Sequence, residues 1–171
     1  MGIYAKGRGK VVLFTQLESP VGRLLLVSDG DALTGLYMEK DPLPEWRQRD
    51  DLPVFRQTKA WLEHYFTGAP EEAGAVPLKL EGTPFQRAVW ALLLTIPYGK
   101  TRTYGELARQ LAGEPDRGKM SAQAVGQAVG RNPVSIIVPC HRVVGRGGKL
   151  TGYAGGIDKK AWLLRHEEET R

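Results

Sequence analysis

The chain has 171 residues, of which 42% are hydrophobic and 25% charged, the balance of a folded globular protein and not of a disordered one. Its formal net charge of +5 is uneven: residues 1–82 carry 10 Lys+Arg against 12 Asp+Glu, and residues 83–171 carry 14 against 7. The basic half favours a polyanionic partner, while the single cysteine, Cys140, excludes an internal disulfide and a cysteine-rich zinc site. No apolar run reaches the roughly 20 residues of a membrane helix, so no membrane partner is expected. The basic start, Met1-Gly2-Ile3-Tyr4-Ala5-Lys6-Gly7-Arg8, leads into no apolar export segment, and a cytoplasmic location is expected.

In chain order, the first third reads as strands. Val11-Val12-Leu13-Phe14-Thr15 is β-rich, Ser19-Pro20-Val21-Gly22 is a turn, and Leu24-Leu25-Leu26-Val27-Ser28 follows. After the turn Asp29-Gly30-Asp31 comes a third strand, Ala32 onwards to Met38, which predicts a small antiparallel meander. Asp41-Pro42-Leu43-Pro44 is a loop, and a helix is predicted to open at Thr58, with Trp61, Leu62, Tyr65 and Phe66 on one face. Gly68-Ala69-Pro70 stops it. The expected division is an N-terminal α/β domain over 1–78, a linker over 79–82, and a mainly helical domain over 83–171.

Thr83-Pro84-Phe85-Gln86 is a capping box with proline at the first helical position, and its helix ends at Pro97-Tyr98-Gly99-Lys100. Thr103-Tyr104-Gly105-Glu106 reads as a second capping box, opening a helix with Leu107 and Leu111 on one face. A loop over 113–119, containing Arg117 and Lys119, leads to Ser121 as cap of a third helix ending near Asn132-Pro133. Two helices joined this way in a basic domain make a helix-turn-helix candidate. The third helix is built on small residues, Ala122, Ala124, Gly126, Ala128 and Gly130. Glycine inside a helix costs roughly 1 kcal/mol, so close approach is implied, either to a neighbouring helix or to a nucleic-acid groove.

Then an apolar run delivers Pro139-Cys140-His141-Arg142-Val143 into a proline-bounded turn. A thiol reacts as its thiolate, and an adjacent histidine oriented by an acid can generate one. The alternative is a small buried hydrophobe. Here the chain resembles the methylated-DNA–protein-cysteine methyltransferases, the 6-O-alkylguanine-DNA alkyltransferases. The likeness rests on this PCHRV signature, on Asn132-Pro133 before it and on Gly152-Tyr153-Ala154-Gly155-Gly156 after it. Lys160-Ala161-Trp162-Leu163-Leu164-Arg165-His166-Glu167, Thr83-Pro84-Phe85-Gln86 and Ile96-Pro97-Tyr98-Gly99 extend it from Thr83 to about Glu168, and the N-terminal part agrees more weakly.

The resemblance implies a ribonuclease H-like N-terminal domain and a winged-helix-like C-terminal domain. It also implies stoichiometric, irreversible transfer of an alkyl group from 6-O-alkylguanine in DNA, with 4-O-alkylthymine as a second candidate substrate, to Cys140, without a cofactor. Cys140 would be the nucleophile, His141 a base acting through a water, and Glu167 the residue orienting it. Tyr104 would donate to a ring nitrogen of the departing guanine, and Asn132 would support the active-site turn. Val143, Tyr153, Ala154 and Gly155 would wall the pocket, with Lys160 beside them. The target nucleotide of double-stranded DNA would be flipped out, with the helix over 121–131 in the minor groove. That assigns DNA contact to Gln123, Ala124, Gly126, Gly130, Arg131 and Arg142, with Arg142 reading equally as structural or phosphate-binding, and makes Arg131, Arg146 and Lys149 candidate phosphate contacts.

Tyr104 as a core tyrosine and Glu167 as part of a solvated run, Glu167-Glu168-Glu169, are the alternatives at those positions. One departure from the family pattern stands out: Gln123 occupies the place of the usual arginine that fills the gap left by the flipped base, so weaker DNA binding or slower flipping is expected. With only His64 in the N-terminal half, no metal is expected, and the protein is expected to be a monomer. Three other functions compete: damage recognition with little or no repair, transcription regulation with a sensor cysteine, and cysteine hydrolysis with turnover. An intact Cys140 argues against the first, the full pocket set against the second, and the lack of a leaving group in a thioether against the third.

Overall fold

The computed structural model describes residues 11–113 and 121–171, which form two compact units. The basic residues 1–8, and Arg117 and Lys119 of the loop, lie outside the described residues. One unit runs through Glu81 and also takes in Pro133–Ile137 and Thr170; the other holds Gly82–Asn132, Val138–Glu169 and Arg171.

The first unit is built on β1 (Leu13–Ser19), β2 (Gly22–Ser28) and β3 (Leu33–Met38), the expected antiparallel meander. Register puts Phe14 opposite Val27 and Leu25 opposite Tyr37, and these four form one apolar cluster with Val12 and Trp46 packed against it. Cross-strand pairs of this kind fix a sheet's register. A fourth strand, β4 (Arg47–Gln48), runs parallel to β1 and gives the order β3-β2-β1-β4, so the sheet is mixed and not purely antiparallel. Two exposed polar residues carry no strand pattern, and only pairing with β1 makes them one.

The free edge of β3 is covered twice. Leu33 N–H donates to Pro77 O at 2.7 Å and Lys79 N–H to Leu33 O at 3.0 Å; Leu36 N–H donates to Pro133 O at 2.9 Å and Ser135 N–H to Leu36 O at 3.1 Å. Short parallel segments thus satisfy an edge that would otherwise offer itself to other chains.

Helix α1 (Pro53–Phe66) starts five residues before the expected Thr58. Pro53 at its first position is the start signal, and Thr58 is a buried interior residue whose hydroxyl donates back to Val54 O at 2.7 Å. Trp61 stacks on Tyr65 at 5.6 Å, and both are buried.

The second unit contains α2 (Pro84–Leu93), β5 (Arg102–Thr103), α3 (Tyr104–Ala112), α4 (Ala122–Gly130), β6 (Val143–Val144) and α5 (Ile157–Thr170, whose Thr170 sorts with the first unit). Thr83 and Gln86 make the reciprocal capping box on α2. Thr103 caps α3 through Glu106 N–H, but the Glu106 carboxylate pairs with Arg102 at 3.3 Å instead of closing the box. Ser121 caps α4 through the N–H groups of Gln123 and Ala124. Trp90 ties α2 to α4, donating its indole N–H to Ala128 O at 2.8 Å from full burial. Strands β5 and β6 pair in parallel, Arg102 with Val143 and Thr103 with Val144. That short ladder holds the start of α3 beside the segment leaving Cys140.

Candidate active site

The segment before the cysteine is tightly constrained. Ile136, buried and β-branched, has φ +70°, and Ile137 N–H donates to Ser135 O at 2.8 Å, a γ-turn of the strained hand. Such a residue costs about 1–3 kcal/mol and persists where its surroundings over-determine it. Cys140 N–H then donates to Val138 O at 2.8 Å across Pro139, and Arg142 N–H to Pro139 O at 3.0 Å, which starts the 3₁₀ turn Cys140–Arg142. Asn132 holds the same carbonyl, its Nδ2 donating to Val138 O at 2.8 Å.

Cys140 is 6% exposed, and His141 and Glu167 are buried completely or nearly so. The Glu167 carboxylate is the hub: it pairs with His141 Nε2 at 2.5 Å and accepts from Arg142 Nε at 2.8 Å, Arg142 Nη2 at 3.2 Å and Gly99 N–H at 3.0 Å. Gly99 has φ +76° in the turn Pro97-Tyr98-Gly99-Lys100, a conformation glycine adopts without penalty, and this aims its N–H at the carboxylate. Arg142 also donates to Ile96 O at 2.8 Å and lies over the Tyr98 ring at 5.6 Å. Of its two sequence readings, the structural one describes this buried arginine.

Burial alone would raise the Glu167 carboxyl, but hydrogen bonds from His141 and Arg142 overcome it and hold the group well below the ordinary carboxylate range. An ionised Glu167 requires Nε2 of His141 to carry the proton, which leaves Nδ1 as the lone-pair nitrogen. Burial also pushes the His141 imidazolium below its ordinary value despite the carboxylate, so the ring is neutral at pH 7. Burial raises the Cys140 thiol, opposed by hydrogen bonding from Asn132, the charge of Lys160 and hydrogen bonding from Tyr153. The resting pair is therefore thiol and neutral imidazole.

This ionisation has a consequence for stability. Below pH 6.5, the unfolded chain takes up a proton on His141 that the folded protein refuses, so stability falls by up to about 1.4 kcal/mol per pH unit in that window. The depressed Glu167 adds a loss of the same sign below its ordinary carboxyl range. Urea midpoints at pH 7.5, 6.5 and 5.0 check this: the decline between pH 6.5 and 5.0 is expected to flatten in a His141→Gln variant, and an equally steep decline would contradict it.

The remaining candidates fall into two groups. Of the residues expected around the base, Val143 and Lys160 are buried, Tyr104, Tyr153 and Gly155 half-buried and Ala154 exposed. Lys160 Nζ donates to Thr151 O at 3.4 Å and lies 5.9 Å from the Tyr104 ring centre; Thr151 Oγ1 donates to the Tyr104 hydroxyl at 2.9 Å. Sequence places Gly99 only in a turn and says nothing of Thr151, since neither residue type carries a chemical signature for the site.

On α4, Gln123, Gly130 and Arg131 are exposed and Ala124 and Gly126 half-buried. A Cβ on Gly126 would meet the Tyr104 ring in ordinary contact at 3.6 Å, and one on Gly130 would meet nothing within 4 Å. Packing within the chain thus leaves Gly130 unexplained. A groove of about 690 Å³ runs along this helix, lined by Thr83, Gln86, Ala124, Gln127, Gly130 and Arg131. Arg146 and Lys149 are exposed. Among the described residues, no group of His, Cys, Asp or Glu could hold a metal ion, and no helix is long and apolar enough to cross a membrane.

Comparison with known proteins adds the following. Residues 84–169 match the family model "6-O-methylguanine DNA methyltransferase, DNA binding domain", and residues 12–80 match "6-O-methylguanine DNA methyltransferase, ribonuclease-like domain". The methylated-DNA–protein-cysteine methyltransferase of Haemophilus influenzae is 46% identical over 158 residues, 91% of this chain and 86% of that protein. The O6-methylguanine methyltransferase structure of Mycobacterium tuberculosis superposes with a TM-score of 0.81 at 46% identity, covering 94% of this chain and 95% of that one. A Mycobacterium tuberculosis OGT structure in complex with DNA gives 0.81 at 45%, covering 92% and 94%.

Proposed function

The chain belongs to the 6-O-methylguanine DNA methyltransferase family, and we propose on that premise that it repairs DNA by direct reversal. It takes the alkyl group from 6-O-alkylguanine, and from 4-O-alkylthymine as a second substrate, onto Cys140, once per molecule. The observation that carries this is the buried His141–Glu167 pair, closed by the 2.5 Å contact at Nε2, with the buried Cys140 next to His141 in the chain.

His141 Nδ1 takes the thiol proton through a water, and Glu167 steadies the imidazolium that forms. The thiolate attacks the alkyl carbon; a sulfur–carbon bond forms as the carbon–oxygen bond breaks, and its electron pair goes to the guanine oxygen. Tyr104 donates a hydrogen bond to a ring nitrogen of the departing base; the proton taken from the thiol passes from the His141 imidazolium through solvent to a ring nitrogen of that base, which leaves as ordinary guanine and returns His141 to its neutral form. The product thioether has no leaving group for water to displace, so the reaction stops after one event. The Lys160 ammonium favours the thiolate, while Val143, Tyr153, Ala154 and Gly155 wall the base.

The target nucleotide is flipped out of the duplex, because the reacting carbon is otherwise inside the stack. Helix α4 enters the minor groove with Gln123, Ala124, Gly126, Gly130 and Arg131 against the DNA, a reading supported by the exposed Gly130 and the groove beside it. The proposal includes a domain boundary at 79–82, a monomer in the cytoplasm, and no cofactor.

The test is intact-protein mass after incubation with excess duplex containing 6-O-methylguanine. One added methyl, mapped to Cys140 and absent from Cys140→Ala, is the expected result; retained binding without a mass change would point to damage recognition alone.

Glutamine lacks the charge and cation–π contact with bases that arginine brings, worth about 0.5–1 kcal/mol at an exposed site. Gln123→Arg is therefore expected to tighten DNA binding and speed transfer about two- to fivefold. Unchanged affinity and rate would remove Gln123 from the flipping step.

A further inference from the structure

A tyrosine that donates to a departing base needs its hydroxyl hydrogen turned towards that base. A phenol rotor has two in-plane orientations, and a hydroxyl beside other polar groups can spend its hydrogen on them instead. In this protein the rotor has a neighbour. Thr151 Oγ1 lies 2.9 Å from the Tyr104 oxygen; with the threonine hydroxyl as donor, that oxygen accepts a hydrogen bond and its own hydrogen is left for another partner.

Thr151 is itself held in place. Its carbonyl accepts from the buried Lys160 ammonium at 3.4 Å. Its methyl lies where a Cβ on Gly145 would come within 3.2 Å, and Gly145 N–H donates to Lys149 O at 2.7 Å, closing the loop that leads to Thr151. The same ammonium lies 5.9 Å from the Tyr104 ring centre, and a Cβ on Gly126 would touch that ring's edge. Ring, hydroxyl partner and supporting loop are thus fixed together on named contacts.

We propose that Thr151 is a positioning residue for alkyl transfer, donating to Tyr104 so that the Tyr104 hydrogen is presented to the departing base. This rests on the role given to Tyr104 above. An O–H that accepts a hydrogen bond while donating another is also the stronger donor, because chained hydrogen bonds polarise one another. Thr151 exchanges no proton with substrate; it sets direction and strength for a group that does.

The experiment is a double-mutant cycle on the single-turnover rate constant at saturating duplex containing 6-O-methylguanine, with DNA affinity measured separately. Thr151→Val keeps the shape and removes the donor; it is expected to slow transfer about three- to tenfold with DNA affinity unchanged, the scale of one lost hydrogen bond. Thr151→Ser is expected to recover most of that loss. In a Tyr104→Phe background, Thr151→Val is expected to change nothing further. A wild-type rate in Thr151→Val, or the same slowing in both backgrounds, would overturn the proposal, the second outcome assigning Thr151 a merely structural role. A wild-type protein that acquires no methyl would instead overturn the parent reading, and the two failures are separate.

Discussion

A Glu167→Ala variant is expected to lose about 3–5 kcal/mol of folding stability, the cost of removing one partner from a buried ion pair. The carboxylate, carried on α5, answers four donors from two other parts of the second unit, the 3₁₀ turn Cys140–Arg142 and the Gly99 turn. Its removal strands the Arg142 guanidinium, 9% exposed, with Ile96 O as the hydrogen-bond acceptor it retains. Glu167→Gln keeps the volume and two acceptor lone pairs but no charge, so a smaller loss is expected. Urea unfolding at pH 7.5 decides the matter; a loss below 1 kcal/mol for alanine would show that Arg142 finds solvent easily and that the hub is not structural. Alkyl transfer should slow sharply in both variants, since neither supplies the ionised carboxylate that fixes the His141 proton on Nε2 and steadies the imidazolium.

His141→Gln is expected to slow transfer at neutral pH by about 10²–10⁴-fold, the ordinary worth of a general base. The direction of the Cys140 shift gives this variant its own pH signature. Burial keeps the thiol neutral beyond its usual range, so without the imidazole the thiolate forms only as solvent hydroxide rises. The variant's rate should therefore climb with pH well above neutrality, while the wild type, with an internal base, changes far less over the same interval. Single-turnover rates between pH 7 and 9.5 check this. Equal rates for the two proteins at pH 7 would take His141 out of the proton path and leave the thiol to solvent.

The parts of the molecule visible in the sequence are those fixed by local chemistry. The Thr83–Gln86 box, the Ser121 cap and the proline-bounded Cys-His turn each consist of residues that act on neighbours two or three positions away, and each stands where the sequence puts it. What stayed hidden depends on partners distant in sequence. Arg47 and Gln48 become a strand through Leu13 and Phe14, and Pro133 to Ser135 line the edge of β3 through Leu36. Thr58 looked like a cap because threonine favours that position, but its hydroxyl bonds inward to Val54 and the true start is Pro53. The site divides in the same way. Cys140, His141 and Glu167 announce themselves by type and motif, whereas the placing of Arg142 inside and the contributions of Gly99 and Thr151 follow from contacts spanning 25 to 68 residues.

The covered cysteine also bears on how long one molecule lasts. A protein spent by a single reaction has to keep its thiol intact through an unbounded wait for a lesion. Oxidation to sulfenic acid, and onward to forms that cells cannot reverse, begins from an accessible thiolate. Cys140 offers little access and no charge at rest, because it is only 6% exposed and burial holds the thiol in its neutral form. The same shelter that obliges the protein to carry His141 as an activator thus preserves its one equivalent of reactivity against peroxide and stray electrophiles.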